Sequence, residues 1–353
     1  MSKKLILFLN AVGISNNNMR KLLESFENLK ELKQNKDFIL DIKNIDKRTL
    51  NKIIKNLNFD IDKYIEKIKN SSVKLTFYGD ENFPINLYDI EDYPMMLYYK
   101  GNLKNEDSKG ISIVGARKCT NYGAWACSKI SEELSKCKIP IISGMASGID
   151  KISHEISIKN NNRTIAVLGS GLDVIYPQTN HDLYYDIIQN GAVISEFPLG
   201  TKPYPYNFPY RNRIISGIGQ GVVVIEAMEK SGTLITANYG AEQGKEVFAV
   251  PGNINSLYSK GTNLLIRDGA KIVASVEDIL EEIEYDTVKE NLVSKQLEGI
   301  SKLIYEEICK NNSSADELSN ILNIKIDEIN VILTILELNG YIIETNGGKF
   351  SPN

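Results

Sequence analysis

Metal-binding and disulfide-forming groups are scarce in this 353-residue chain. Its two histidines and four cysteines (Cys119, Cys127, Cys137, Cys309) show no C-x-x-C spacing, which argues against a zinc site. Thiols so spread fit a reducing cytoplasm. No apolar run approaches the roughly 20 residues that a membrane helix needs. Lys3 and Lys4 before Leu5–Leu9 faintly mimic a signal peptide, but Asn10 breaks the run and no small-x-small site follows. A cytoplasmic location without membrane contact is therefore expected. No G-x-x-x-x-G-K-[ST] occurs, so the chain is not a P-loop ATPase. No acidic pair suggests a metal nuclease, and no nucleophile–base pair stands out. Neither cofactor, metal nor catalytic residue is assigned. A general excess of positive charge is missing too, since the net charge is −4. Any nucleic-acid site must be local.

The charge is unevenly spread. Residues 1–70 hold 15 Lys and Arg against 9 Asp and Glu, whereas residues 298–353 hold 4 against 9. The first segment reads as a helical domain, with Met19, Leu22, Leu23 and Phe26 at helical spacing and Ala11–Ser15 as a hairpin turn. Residues 71–109 read as an irregular bridge. From 110 to 280, short runs rich in Ile and Val alternate with helical patterns: 111–114, 139–142, 164–168, 192–195, 222–225 and 247–250. This predicts an α/β fold with a mostly parallel sheet covered on both faces. Residues 281–297 read as a linker. In residues 298–353, a helix over Ile300–Ile308, a capping box Ser314-x-x-Glu317, a third helix stopped by Gly340 and a hairpin turning at Asn346-Gly347 make a winged helix.

In an open parallel sheet, ligands bind beyond the carboxyl ends of the strands. Four of those ends carry turns of the phosphate-binding type. They are Gly115-Ala116-Arg117; Ser143-Gly144-Met145-Ala146-Ser147-Gly148 running to Asp150; Gly169-Ser170-Gly171; and Ser231-Gly232-Thr233. Glycines let a backbone close on an anion, and helix starts supply N–H groups and a positive dipole end. A helix beginning near Phe208-Pro209 adds Arg211, Asn212 and Arg213. The two arginines are two positions apart, about 200° round a helix, so they cannot share a face. One can meet an anion while the other ties the helix to Glu226 or another core carboxylate. His154 reads as a packing or capping residue, and His181 as a loop or helix-start residue.

These motifs, with Thr120-x-Tyr122-Gly123, Leu168-Gly169-x-Gly171-Leu172-Asp173-x-x-Tyr176-Pro177, Ser231–Thr236 and Val250-Pro251-Gly252, together resemble the DNA-processing protein A (Smf) family. The resemblance covers about residues 75–275. It implies an extended Rossmann-like core behind a helical domain of the SAM or helix-hairpin-helix kind. It also implies a non-enzymatic homodimer that binds and protects single-stranded DNA and loads the RecA recombinase in natural transformation, displacing single-strand-binding protein. Arg117, Phe208, Arg211, Asn212 and Arg213 would line the DNA pocket, and the Ser143–Gly148 turn would offer N–H groups to phosphate. The dimer contact would fall in residues 263–273, where Leu264, Leu265 and Ile266 run together. Two departures are visible. Gly-Ala-Arg stands where Gly-Ser-Arg is common in the family, and Gly13-Ile14-Ser15 stands where helix-hairpin-helix turns usually read Gly-x-Gly. An enzyme related to phosphoribohydrolases, or a nucleotide sensor, is the alternative on the same architecture. The first would release base from nucleoside monophosphates, and the second would bind mononucleotide more tightly than oligonucleotide.

Overall fold

The computed structural model describes residues 2–283, 297, 299–311, 313–345 and 348–352. The chain forms two compact units, Met1–Tyr285 and Asp286–Asn353. The Asn346-Gly347 turn and most of the 281–297 linker lie outside the described residues.

The first unit opens with six helices: α1 (Lys3–Ala11), α2 (Asn16–Ser25), α3 (Leu29–Gln34), α4 (Lys36–Asp41), α5 (Lys47–Lys55) and α6 (Ile61–Asn70). Side chains cap the starts of several. Ser2, Asn28, Asp46 and Asp60 each accept a backbone N–H of the first turn. Gly13, at φ 72°, makes the α1–α2 turn, a backbone conformation that glycine adopts at little cost.

A nine-stranded sheet follows: β1 (Lys74–Phe77), β2 (Met96–Gly101), β3 (Ile111–Val114), β4 (Ile141–Ser143), β5 (Thr164–Val167), β6 (Gly191–Ser195), β7 (Gly221–Val224), β8 (Glu246–Ala249) and β9 (Lys271–Ile272). Its order is β1-β2-β6-β5-β4-β3-β7-β8-β9. The pairs from β6 across to β9 are parallel, whereas β1–β2 and β2–β6 are antiparallel. The six predicted strands are all present. The segment read as an irregular bridge is instead ordered, because β1 and β2 extend the sheet past β6. Mixed polarity hid them: Lys74 is exposed on the edge strand β1, where a charge can face water, and half-buried Lys100 lies near the end of β2.

Between the strands run α7 (Asn121–Lys136), α8 (Ile149–Lys159), α9 (His181–Asn190), α10 (Asn207–Ile218), α11 (Gly232–Glu242), α12 (Lys260–Arg267) and α13 (Glu277–Leu280). Alternation along the strands sorts them into layers. Val222 and Val224 join a core with Ile214, Ile215 and Ile218 of α10, while Val223 and Ile225 join one with Ala126, Cys127 and Ile130 of α7. The helices α1–α6 have no separate core of their own. Leu5, Phe8, Met19 and Ile53 share one cluster with Tyr98 of β2, Val193 of β6 and Tyr184 of α9.

The chain lays down β3 to β6 outward in one direction, then returns to place β7 on the other side of β3. The topological switch therefore lies between β3 and β7. Diverging connections open a crevice there, at the carboxyl ends of the two strands.

The second unit has its own core of Ile304, Tyr305, Ile308, Leu318, Ile329, Leu333, Leu336 and Ile342. Helices Gly299–Lys310, Ala315–Leu322 and Ile326–Leu338 accompany three short antiparallel strands, Ser313–Ser314, Ile342–Thr345 and Lys349–Pro352. Both halves of the expected capping box form between Ser314 and Glu317.

Candidate nucleic-acid interface

The turn after β3 brings Gly115, Ala116 and Arg117 to the switch point, and Arg117 is exposed. Its guanidinium carbon lies 5.3 Å from the ring centroid of Phe208, on the first turn of α10. This is cation–π range, and it holds a flexible arginine over the crevice. Tyr176 packs on the same Phe208 ring at 5.5 Å. Gly169 is the floor beneath Phe208: a Cβ there would lie 2.9 Å from the ring.

The turn after β4 is wired differently from the simple cradle expected. Asp150, buried in the first turn of α8, accepts the N–H groups of Gly144 and Ala146 at 3.2 and 3.3 Å. Those donors are committed to an internal carboxylate. Ser143 is also buried, with its hydroxyl donating to Ile113 O. Met145 is buried at φ 56° and its carbonyl accepts from Asn180. Ala146, Ser147 and Gly148 are the half-buried part of the turn, and of these Ser147 and Gly148 have N–H groups not taken by Asp150. Gly148 has φ 79° and lies against the backbone of Ala116 and Arg117, and Ile149 N–H donates to Ala116 O. The β3 and β4 turns are thus one interlocked unit.

Arg211 lies beneath that unit and is buried. It donates to the carbonyls of Gly144 and Val167, and its guanidinium and the Asp150 carboxylate flank Gly144 so closely that a Cβ would lie 2.7 Å and 2.8 Å from them. Burial pushes the Asp150 carboxyl up, against the pull of Arg211. Burial likewise lowers Arg211 to about 10, which leaves it charged at neutral pH. Arg211, opposed by the Asp150 carboxylate, therefore braces the turn from below, and Arg117 supplies the accessible guanidinium. Asn212 is half-buried and joins α10 to α11 through Gly232 O.

Arg213 points into a different network. It is buried and pairs with both oxygens of Glu196 at 2.7 and 2.9 Å. It also donates to Asp92 O and sits 4.0 Å from the Tyr210 ring centroid. Burial alone would lower its pKa, but Glu196, with Tyr210 and Asp92, more than offsets this and raises it above the usual guanidinium value. Glu196 is in turn bonded by Asn16 of α2. Of the two carboxylate routes open from the sequence, α10 thus uses Glu196. Glu226 instead accepts the N–H and hydroxyl of Thr120, which caps α7.

On the β7 side, Ser231 caps α11 through Thr233 N–H, Thr233 donates to Gly115 O, and Gly232 is exposed. Gly171 is buried and donates its N–H to Thr201 O, so it serves the loop and not the rim. The structure therefore gathers Gly115, Arg117, Ser147, Gly148, Phe208, Asn212, Ser231, Gly232 and Thr233 at one edge. It sets Ser143, Gly144, Met145, Asp150, Gly169, Gly171, Arg211 and Arg213 behind or below that edge.

Of the dimer candidates, Leu264, Leu265 and Ile266 are all half-buried, and Leu265 packs on the core layer of α10 and α11. Among the described residues no cluster of His, Cys, Asp and Glu could hold a metal ion, and no helix is long and apolar enough to cross a membrane.

Known proteins of similar sequence and structure agree with the motifs. Residues 74–284 match the family model described as DNA recombination-mediator protein A. The DNA processing protein DprA of Bacillus subtilis is 45% identical over 207 residues, which is 58% of this chain and 69% of that protein. The X-ray structure of DprA from Streptococcus pneumoniae superposes with a TM-score of 0.71 at 36% identity, covering 80% of this chain and 99% of that one. A structure of DNA processing protein A from Helicobacter pylori, described for its single-stranded DNA binding mode, superposes with a TM-score of 0.55 at 29% identity, covering 60% and 97%. With its matched region spanning the whole parallel sheet and the crevice at its switch point, this chain belongs to the DNA recombination-mediator protein A family.

Proposed function

We propose that this chain binds single-stranded DNA along the carboxyl edge of its sheet and acts as a recombination mediator, with no catalytic step of its own. Family membership supports the mediator role, and the single-strand binding described for the Helicobacter pylori relative supports the ligand. The single observation that carries the reading is Arg117, exposed at the topological switch, braced on Phe208 and backed by buried Arg211. Such an edge reads phosphate and not base edges, so little sequence preference is expected. In the finer reading the protein protects incoming strands in natural transformation, displaces single-strand-binding protein and loads RecA, working as a homodimer in the cytoplasm. The unit at 299–352, with its helix-strand-helix-helix-strand-strand order, is read as a winged helix.

An anisotropy titration with single-stranded and duplex oligonucleotides tests this. Single strands should bind more tightly, with a log–log salt slope of about −0.7 per phosphate neutralised. Equal affinity for a matched duplex, or no salt dependence, would overturn it. Release of base from a nucleoside monophosphate would point instead to a hydrolase.

A further inference from the structure

Two exposed aromatic pairs flank the phosphate turns, one on each side. Tyr204 and Tyr206 stack on each other with ring planes 4° apart and centroids 5.5 Å apart. They are 43% and 70% exposed. Their loop is stitched to the β5 end of the edge: Gly171 N–H donates to Thr201 O, and the Asn207 side chain donates to Gly169 O. Pro203 and Pro205 on either side of Tyr204 restrict the backbone, so the pair is presented at low entropic cost. On the other side, Tyr122 and Trp125 of α7 lie 6.1 Å apart and are 43% and 63% exposed. Tyr122 is pinned to the β8 end by its hydroxyl, which donates to Pro251 O at 2.7 Å. Large aromatics held open to water on both flanks of a cationic edge are costly unless a partner covers them.

We infer that these pairs are stacking platforms for bases of a strand laid across the sheet edge, from the β5 end over the switch point to the β8 end. The inference rests on the single-strand reading above and adds where the bases go. Four strand steps separate β5 from β8, about 19 Å at the spacing of neighbouring strands. At a stacked rise of 3.4 Å that is about six nucleotides, and fewer if the strand is stretched. Phosphates meet Arg117 and the accessible turns in the middle, and the end bases stack on rigid rings. Because every base has a π-face, such stacking adds affinity without sequence preference.

Trp125 is the only tryptophan, so tryptophan emission reports on this one position. The full-length protein is titrated with dT12 and with an abasic twelve-mer of equal charge, following anisotropy and emission together. The platforms predict that dT12 quenches the emission, that the abasic strand does not, and that the abasic strand binds roughly tenfold more weakly or worse. Y204A/Y206A should weaken dT12 by a similar factor and leave the salt slope unchanged, since no ion is released. Y204F/Y206F should bind like wild type. Equal binding of dT12 and abasic strand, unaltered emission at saturation, or a folded Y204A/Y206A that binds dT12 normally would each overturn the inference. Should the double alanine variant not fold, the abasic comparison decides. The two readings fail differently. Salt-dependent dT12 binding without base dependence leaves the single-strand reading intact, whereas absence of dT12 binding removes both.

Discussion

Arg117 ends in solvent above Phe208, whereas Arg211 and Arg213 end inside the protein, so three arginines of one motif set should separate in two measurements. Arg117→Ala should weaken oligo-dT by roughly 1–3 kcal/mol and flatten the salt slope, with an almost unchanged melting temperature. Arg211→Ala removes the donor to Val167 and Gly144 and leaves Asp150 without its nearby cation, so here the melting temperature should fall as well. From the sequence alone Arg211 would be expected to behave like Arg117; its burial reverses the stability half of that expectation. Arg213→Ala strands Glu196 in the core and should cost about 3–5 kcal/mol of stability, measured by urea unfolding. A stable Arg117→Ala protein that binds like wild type would remove Arg117 from the site.

His154 gives a pH signature. Its Nδ1 lies 2.7 Å from the Thr164 hydroxyl, which donates its proton to Ile141 O, so Nδ1 carries the imidazole proton and Nε2 has no partner. Burial holds the ring neutral and lowers its pKa from 6.5 to about 3, with Arg211 adding to the effect. A depressed folded pKa means that the unfolded chain takes up the proton first. Stability is then fully present above pH 6.5 and drains as pH falls towards 3, by up to about 1.4 kcal/mol per unit. Urea midpoints of the wild type should drop between pH 7 and 5. In His154→Gln that drop should be largely lost, and equal slopes in the two proteins would refute the assignment.

At the scale of elements, the proposed binding edge depends on turns that fit each other. Gly148, at φ 79°, touches the Ala116–Arg117 backbone, so a side chain there is strained twice: by its own conformation and by a carbonyl in its path. Gly148→Ala should cost about 1–3 kcal/mol and also weaken oligo-dT, because the displaced turn carries Arg117. Thermal unfolding and anisotropy on the same sample check this. A variant with lower stability but normal affinity would show that the β3 and β4 turns move independently. The helix Ile326–Leu338 presents a different surface. Val331, Ile335 and Leu338 are exposed at helical spacing, beside Asp327, Glu328 and Glu337 and no cation. Phosphates would be repelled by it, and an apolar stripe of this kind suits a protein surface.

For the whole molecule, separate cores imply separable functions. Deleting residues 298–353 should leave oligo-dT affinity within about 1 kcal/mol, less than one good bidentate base contact. A folded truncation that loses several kcal/mol would show that the acidic unit does touch DNA. A dimer contact is the other proposal at this scale. Ile254, Leu257 and Ile272 are exposed apolar residues in the segments flanking α12, beside half-buried Leu264 and Ile266. An isologous contact there would place two binding edges on one particle and raise affinity for long strands. Light scattering should show a dimer at tens of micromolar that Leu264→Arg or Ile266→Arg dissociates. Leu265→Arg, against the core, should instead unfold. A monomeric wild type would end the idea.

Much of this was legible in the chain itself. Short Ile- and Val-rich runs alternate with helical periods, and this pattern depends only on which faces must leave water, so the parallel sheet and its glycine turns could be read locally. Pro209, Ser314-x-x-Glu317 and Gly340 act through their own backbone and nearest turns, and they too were readable. What needed the fold was the direction of each side chain. Arg211 and Arg213 differ by two positions, yet one reaches Val167 at the end of β5, beneath the Gly144 turn, and the other pairs with Glu196, the residue after β6. The Gly144 and Ala146 donors look free in sequence and are taken by Asp150 four to six residues on. Tyr204, Tyr206 and Trp125 carry no motif, and only the strand order places them at the two ends of one edge. Local pattern is set by burial and backbone chemistry within a few residues, whereas the partners of Arg213 and Arg211 lie 17 to 67 residues away, a separation that pattern does not encode.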